Sequence, residues 1–121
     1  MRLVTTLLFV MLVAPRPSVA ADVAAGQTVF NRCKICHSLE AGKNMVGPSL
    51  HGLFGRKAGT VDNYTYSGAM KDAGVVWDDD TVTKYLRDPK AFIPGDKMAF
   101  PGIKDDTQIT DLLAYLHQAT Q

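Results

Sequence analysis

Three stretches of this chain place residues at helical spacing, and two long stretches between them do not. In the first, from about Val23 to Cys33, the positions Val23, Gly26, Gln27 and Phe30 fall three or four apart. Gly26 is costly inside a helix, by about 1 kcal/mol relative to Ala, and close approach by another backbone is a common reason for keeping it. The second runs from about Asp80 to Arg87. Asp79 or Asp80 can cap it, Val82, Tyr85 and Leu86 share a face, and Pro89 is expected to end it. The third starts near Asp105 or Asp106 and runs almost to the end of the chain, with Ile109, Leu112, Leu113 and Leu116 as its buried stripe. A short fourth helix is expected from Ser67 to Asp72, stopped by Gly74.

The intervening segments carry punctuation instead of period. "SLEAGKNMVGPSLHGLFGRKAGTVDNYTY" has five glycines and a proline, and "RDPKAFIPGDKMAFPGIK" has three prolines and two glycines. Strand alternation is absent, so the expected class is all-α, with three main helices and long loops. Loops of this length are uncommon in a compact domain unless they have a function. Three short helices also make a thin core. A large apolar cofactor at the centre would supply what the side chains lack.

The N-terminus follows a different rule. Arg2 precedes a largely apolar run from Leu3 to Val13, Pro15 and Pro17 break it, and Ser18-Val19-Ala20 ends it with small residues. This is the order of a secretory signal peptide. Eleven residues fall short of the roughly 20 that a membrane span needs. Residues 1–20 are therefore expected to be cleaved, leaving a single domain over 21–121 in the periplasm.

Composition adds little beyond this. Hydrophobic residues make up 46% and charged residues 21% of the chain, as in ordinary globular domains. Cleavage removes Arg2 and Arg16 from 13 Lys and Arg, leaving 11 against 12 Asp and Glu and a formal charge of −1. Nucleic-acid binding loses its support, because that binding needs a basic face.

The only two cysteines lie in "CKICH", residues 33–37. Wound as the last turn of the first helix, Cys33 and Cys36 would share a face with His37 beside them. Two thiols can then add across the vinyl groups of a haem while the imidazole reaches the iron, which is why this spacing marks c-type haem attachment. Export fits that reading. A zinc site would need four N or S ligands and a dithiol oxidoreductase a βαβ pattern; the chain offers neither. Candidates for a second axial ligand are Met45, Met70, Met98, His51 and His117. Met98 stands out, because "FIPGDKMAF" presents it on a Pro- and Gly-bounded loop. Met45 and Met70 read as core fillers, His51 as a hydrogen-bonded structural histidine and His117 as a solvated one.

Taken in order, "CKICH", "VGPSLHGLFGRKAGT", "YTYS", Trp77, "YLRDPKAFIPGDKMAFPGIK" and "DLLAYL" resemble the class I cytochromes c, the mitochondrial type and its exported bacterial relatives. The resemblance implies one haem c joined through Cys33 and Cys36, with His37 and Met98 as iron ligands. It implies that the Pro48 carbonyl accepts the second imidazole N–H. Arg56, Tyr66 and Trp77 would surround a buried propionate, Tyr85 would lie near the methionine sulfur, and Phe100 would stand beside the exposed haem edge. Gly26, Phe30, Leu112 and Tyr115 would form the crossing of the terminal helices. With both axial positions filled, no substrate site remains, and the chain is expected to be a monomeric one-electron carrier, not an enzyme. Its partners would be transient, with membrane-bound or exported donor and acceptor complexes such as those of a respiratory chain. The rival is a peroxidase or gas-binding haem protein whose sixth ligand is displaceable.

Three features depart from the family pattern. Asp96 stands where a neutral Thr is usual, and an ionised carboxylate cannot donate to a propionate, so it is expected to face water. Met70 replaces a frequent Asn, which should make the network near Tyr66 and Tyr85 drier. The strong basic charge of mitochondrial members is missing, although Lys34, Lys43, Lys90, Lys97 and Lys104 are expected around the crevice.

Overall fold

Asp22 begins the first helix by accepting the Ala25 amide at 3.0 Å, and Asp105 begins the last by accepting the Gln108 amide at 2.8 Å. These caps satisfy amides that have no partner within the helix. The computed structural model describes residues 11–15 and 20–121, so most of the expected signal segment lies outside the described residues. Among the described residues five helices follow one another: α1 (Val23–Phe30), α2 (Gly68–Asp72), α3 (Asp79–Arg87), α4 (Pro89–Phe92) and α5 (Asp106–Ala119). Among the described residues the only β-type pairing is an isolated antiparallel bridge between Lys57 and Val76, and the all-α expectation holds.

Two helix boundaries differ from expectation. Regular α1 ends at Phe30, not Cys33. Beyond it the chain winds on in tighter turns, with Cys33 N donating to Phe30 O at 2.8 Å and Cys36 N to Cys33 O at 3.0 Å. Pro89 does end α3, but it also starts α4. Proline lacks only an amide that would have no partner at a helix start, and Asp88 caps that turn through Ala91 N at 3.2 Å. Helix α2 is capped by Ser67, whose hydroxyl accepts the Met70 amide at 3.1 Å. Asp78 and Thr81 form a reciprocal capping box on α3.

Helices α1 and α5 cross where Gly26 meets Asp111, so closely that a Cβ on Gly26 would collide with the Asp111 carbonyl. Phe30 and Tyr115 stack at a tilt across the crossing, with ring centroids 5.4 Å apart. The Asp22 amide donates to the buried Asp111 carboxylate at 2.8 Å. Behind this contact Leu112, Ile109 and Leu116 join Ile103, Val82, Trp77 and Leu53 in one buried cluster. Leu113, expected in the buried stripe, is only half-buried.

Ala in place of Gly26 should therefore destabilise the folded protein by about 1–3 kcal/mol through overpacking, even though Ala gains about 1 kcal/mol of helix propensity. Chemical denaturation should show a lowered midpoint; a midpoint at or above that of the parent protein would show that the crossing can spread without cost.

Candidate functional site

One face of the buried cluster is also the wall of a cleft. Phe30, Leu53, Trp77, Val82, Leu112 and Leu116 belong to the cluster and line a cavity of about 250 Å³. The cavity is also lined by Cys33, Cys36, His37, Pro48, Arg56, Tyr66, Tyr85, Met98 and Phe100. With Trp77, these are the site residues expected from the sequence, and all of them come to this one cleft.

The turn after α1 delivers the first group. His37 N donates to Cys33 O at 2.9 Å, which holds the imidazole next to the thiols. The loop that follows is tied to this turn by Gly47 N to Cys36 O at 2.8 Å and Leu50 N to Ser38 O at 2.9 Å. These bonds bring the Pro48 carbonyl to His37 Nδ1 at 2.7 Å. A carbonyl can only accept, so Nδ1 carries the proton and Nε2 keeps its lone pair. Burial holds the His37 pKa below the ordinary histidine value, against an opposing contribution from the Pro48 bond and with a further lowering by Arg56. The ring is therefore a neutral donor. Gly47 lies so close that a Cβ there would strike the imidazole, with Nδ1 at 2.8 Å. Burial also pushes the Cys33 thiol up to about 11.

Arg56 and Trp77 are placed together by a short backbone pairing. Gly55 N donates to Trp77 O at 2.7 Å, Trp77 N to Arg56 O at 2.9 Å and Ala58 N to Val75 O at 2.8 Å. The guanidinium donates to the Ser49 and His51 carbonyls, at 3.1 and 2.9 Å. Neither partner is a carboxylate, so no hydrogen-bonded acid offsets this cation at the cleft wall. Tyr66 Oη accepts the Val61 amide at 3.1 Å, which leaves its own hydrogen to donate. Burial raises the Tyr66 pKa and so keeps the phenol protonated.

Of the candidate second ligands, only Met70 and Met98 line the cleft. Met45 is 42% exposed. His51 is exposed, and its hydrogen bonds are made by its backbone, so the structural hydrogen-bonded histidine expected there is not observed. His117 is exposed but not simply solvated: it stacks on Phe54 at 3.7 Å and pairs with Asp79 at 2.5 Å. Met70 packs against the buried cluster, and Met98 is not among the residues that do.

The largest correction concerns Asp96. Expected in water, it is buried, with Tyr85 Oη donating to Oδ2 at 2.6 Å and Lys90 Nζ to Oδ1 at 2.8 Å. Two internal donors, one of them a cation, make burial of the carboxylate tolerable. Burial together with Asp96 raises the Tyr85 pKa. Tyr64 had no assigned role, yet it lines the cleft, meets Tyr66 edge-on at 4.7 Å and lies under Lys97 Nζ at 4.6 Å. The alternation Tyr64, Tyr66 in "YTYS" was the available signal, since extended residues two apart face the same way.

The donor set fits a flat, apolar, iron-bearing cofactor. Two thiols, a neutral imidazole and a thioether converge on an apolar wall, with an uncompensated guanidinium at its edge. A bare metal ion does not fit: among the described residues, His, Cys, Asp and Glu form no group of three that could hold one.

The comparisons agree with this geometry. The cytochrome c family model matches residues 23–120. Cytochrome c2 of Blastochloris viridis is 48% identical over 112 residues, covering 92% of this chain and 88% of that protein. Cytochrome c of Arabidopsis thaliana is 47% identical over 106 residues, covering 86% of this chain and 95% of that one. The solved structure of cytochrome cH from Methylobacterium extorquens superposes with a TM-score of 0.76 at 45% identity, covering 81% of this chain and 99% of that one. The chain thus belongs to the class I cytochromes c: it is an electron carrier, not an enzyme, with a single haem c joined through Cys33 and Cys36.

Proposed function

We propose that this cytochrome works as a soluble monomer in the periplasm, with His37 and Met98 as axial ligands, and shuttles single electrons between membrane-bound or exported complexes. The observation that carries the reading is the convergence of one neutral imidazole, both thiols and the Met98 thioether on one apolar cleft. When bound, the haem supplies a one-electron Fe(III)/Fe(II) couple. The protein sets the conditions of that couple. Pro48 fixes the imidazole tautomer and orientation. A thioether donor favours the reduced state, as does an apolar wall that disfavours extra charge.

Arg56, Tyr66 and Trp77 would offset the burial of a propionate, Arg56 by its charge and Tyr66 by its free hydroxyl hydrogen. Phe100 lines the cleft and would cover one side of the haem edge. With His37 and Met98 both holding the iron, no coordination site would remain for a substrate, which would separate a carrier from a peroxidase or gas binder. Electron-transfer encounters of this kind are small and transient. Export rests on the order of charge, apolar run and small residues within 1–20. Among the described residues no helix is long and apolar enough to cross a membrane.

Met98→Ala should lower the reduction potential and let the ferric protein bind cyanide at least about tenfold more tightly. Potentiometry and cyanide titration check this, and a parent protein that takes up cyanide as readily as the variant would favour the displaceable-ligand rival. Cys33→Ala should leave at most one thioether, read as a low yield of holoprotein or as haem released from the chain on cleavage of a single bond. Intact mass of protein purified from the periplasm should correspond to a chain starting at Ala21 plus one haem; a mass that retains residues 1–20 would count against cleavage.

A further inference from the structure

The loop that carries Met98 holds a buried acid two residues upstream. The Asp96 side chain is 0% exposed, and both its oxygens are taken, Oδ2 by Tyr85 of α3 and Oδ1 by Lys90 of α4. The Lys90 ammonium also reaches the Asp96 carbonyl at 3.1 Å and the Met98 carbonyl at 3.3 Å. One cation therefore gathers three acceptors from the loop.

We propose that Asp96, Lys90 and Tyr85 form a clamp that keeps the 93–100 loop closed over the cleft and so holds the Met98 thioether on the iron. The proposal rests on the reading of Met98 as axial ligand; within it, Asp96 and Lys90 are positioning residues that act through the loop. Apart from Ile93, buried in the core cluster, and Phe100, packed against it, the loop has few inner ties. Its internal backbone bonds are Asp96 N to Ile93 O at 3.1 Å and Phe100 N to Met98 O at 3.0 Å, and Gly95 turns through a positive φ of 91°. On the outside, Lys97 touches the Thr65 carbonyl and the Tyr64 ring, and solvent-exposed contacts of a lysine hold weakly. A buried carboxylate that loses a partner is penalised far more than an exposed one, so the inner clamp is the stronger of the two. Tyr85 has a single hydroxyl hydrogen and gives it to Asp96, so it does not donate it to the methionine sulfur.

Imidazole titration of ferric holoprotein tests the clamp, read together with the weak red-edge absorption band of a methionine–iron(III) bond. Asp96→Asn and Lys90→Gln should each raise imidazole affinity about ten- to a hundredfold and weaken the band. The double variant should add little to either, and Lys90→Arg should stay near the parent protein. Lys90 is largely exposed, so its variants remain informative if Asp96→Asn fails to mature. Ile109→Ala, a core truncation outside the cleft lining, should lower the denaturation midpoint and leave imidazole affinity unchanged. Parent-like affinity and an intact band in Asp96→Asn and Lys90→Gln would overturn the clamp and leave Met98 as ligand. Equal gains in Ile109→Ala would overturn it as well, by showing general loosening. A parent protein without the band, binding imidazole as tightly as Met98→Ala, would remove the ligand reading and the clamp with it.

Discussion

The approach of α1 to α5 at Gly26 governs where everything else can stand. With no side chain in the way, the α1 backbone rests against the Asp111 carbonyl, and that depth fixes the direction in which α1 ends. The cysteine turn continues from that end through bonds to the Phe30 carbonyl. The same crossing brings Phe30, Leu112 and Leu116 to a shared position, where they serve as both core and cleft wall. Core and cofactor site are thus one apolar surface. Whatever lies on that surface contributes to folding, because binding to the folded chain alone adds to its stability.

Away from the helices, order comes from single hydrogen bonds placed where a residue must be aimed. Gly47 and Leu50 donate to the cysteine turn, which puts the Pro48 carbonyl on His37. The antiparallel pairing around Lys57 and Val76 sets Arg56 beside Trp77. Gly102 allows the chain to leave the Met98 loop, because its φ of 105° and lack of a Cβ let it pass the Arg87 carbonyl, and Ile103 N then bonds Leu86 O at 2.8 Å. The long loops are therefore scaffolds for specific donors, which accounts for their length in so small a domain.

The sequence made the helices and the site residues legible to different degrees and for different reasons. Helix α5 was clear because its stripe and its Asp105 cap are local features. The haem-attachment turn was clear because its chemistry lies within five consecutive residues, "CKICH". Helix α4 was hidden because Pro89 reads equally as a stop and as a first helical residue, and only the Asp88 cap decides. Asp96 is buried because donors from α3 and α4 reach its carboxylate. A carboxylate facing a propionate would be repelled, but Tyr85 and Lys90, 11 and 6 residues away in sequence, provide donors that no local pattern announces. His117 was read as solvated for a similar reason, since Phe54 and Asp79 reach it only in the folded chain.

The same pairing rewrites the charge reading. Two of the five lysines expected to ring the crevice, Lys90 and Lys43, are paired with acids. Lys90 is neutralised by Asp96 at 2.8 Å and Lys43 lies 3.6 Å from Glu40, while Lys104 bonds the Arg87 carbonyl. Acidic residues are matched in turn, Asp80 by Lys84 and Asp106 by Arg87. Pairs at such distances act as short dipoles whose fields fall off quickly, and at physiological ionic strength exposed charges are screened beyond about 8 Å. Over 21–121 the formal charge is only −1, so encounter rates should depend on salt far less than in a strongly basic homologue. The lysine that closes the methionine loop is thus one cation whose charge is offset by a buried acid and adds little to the outward field.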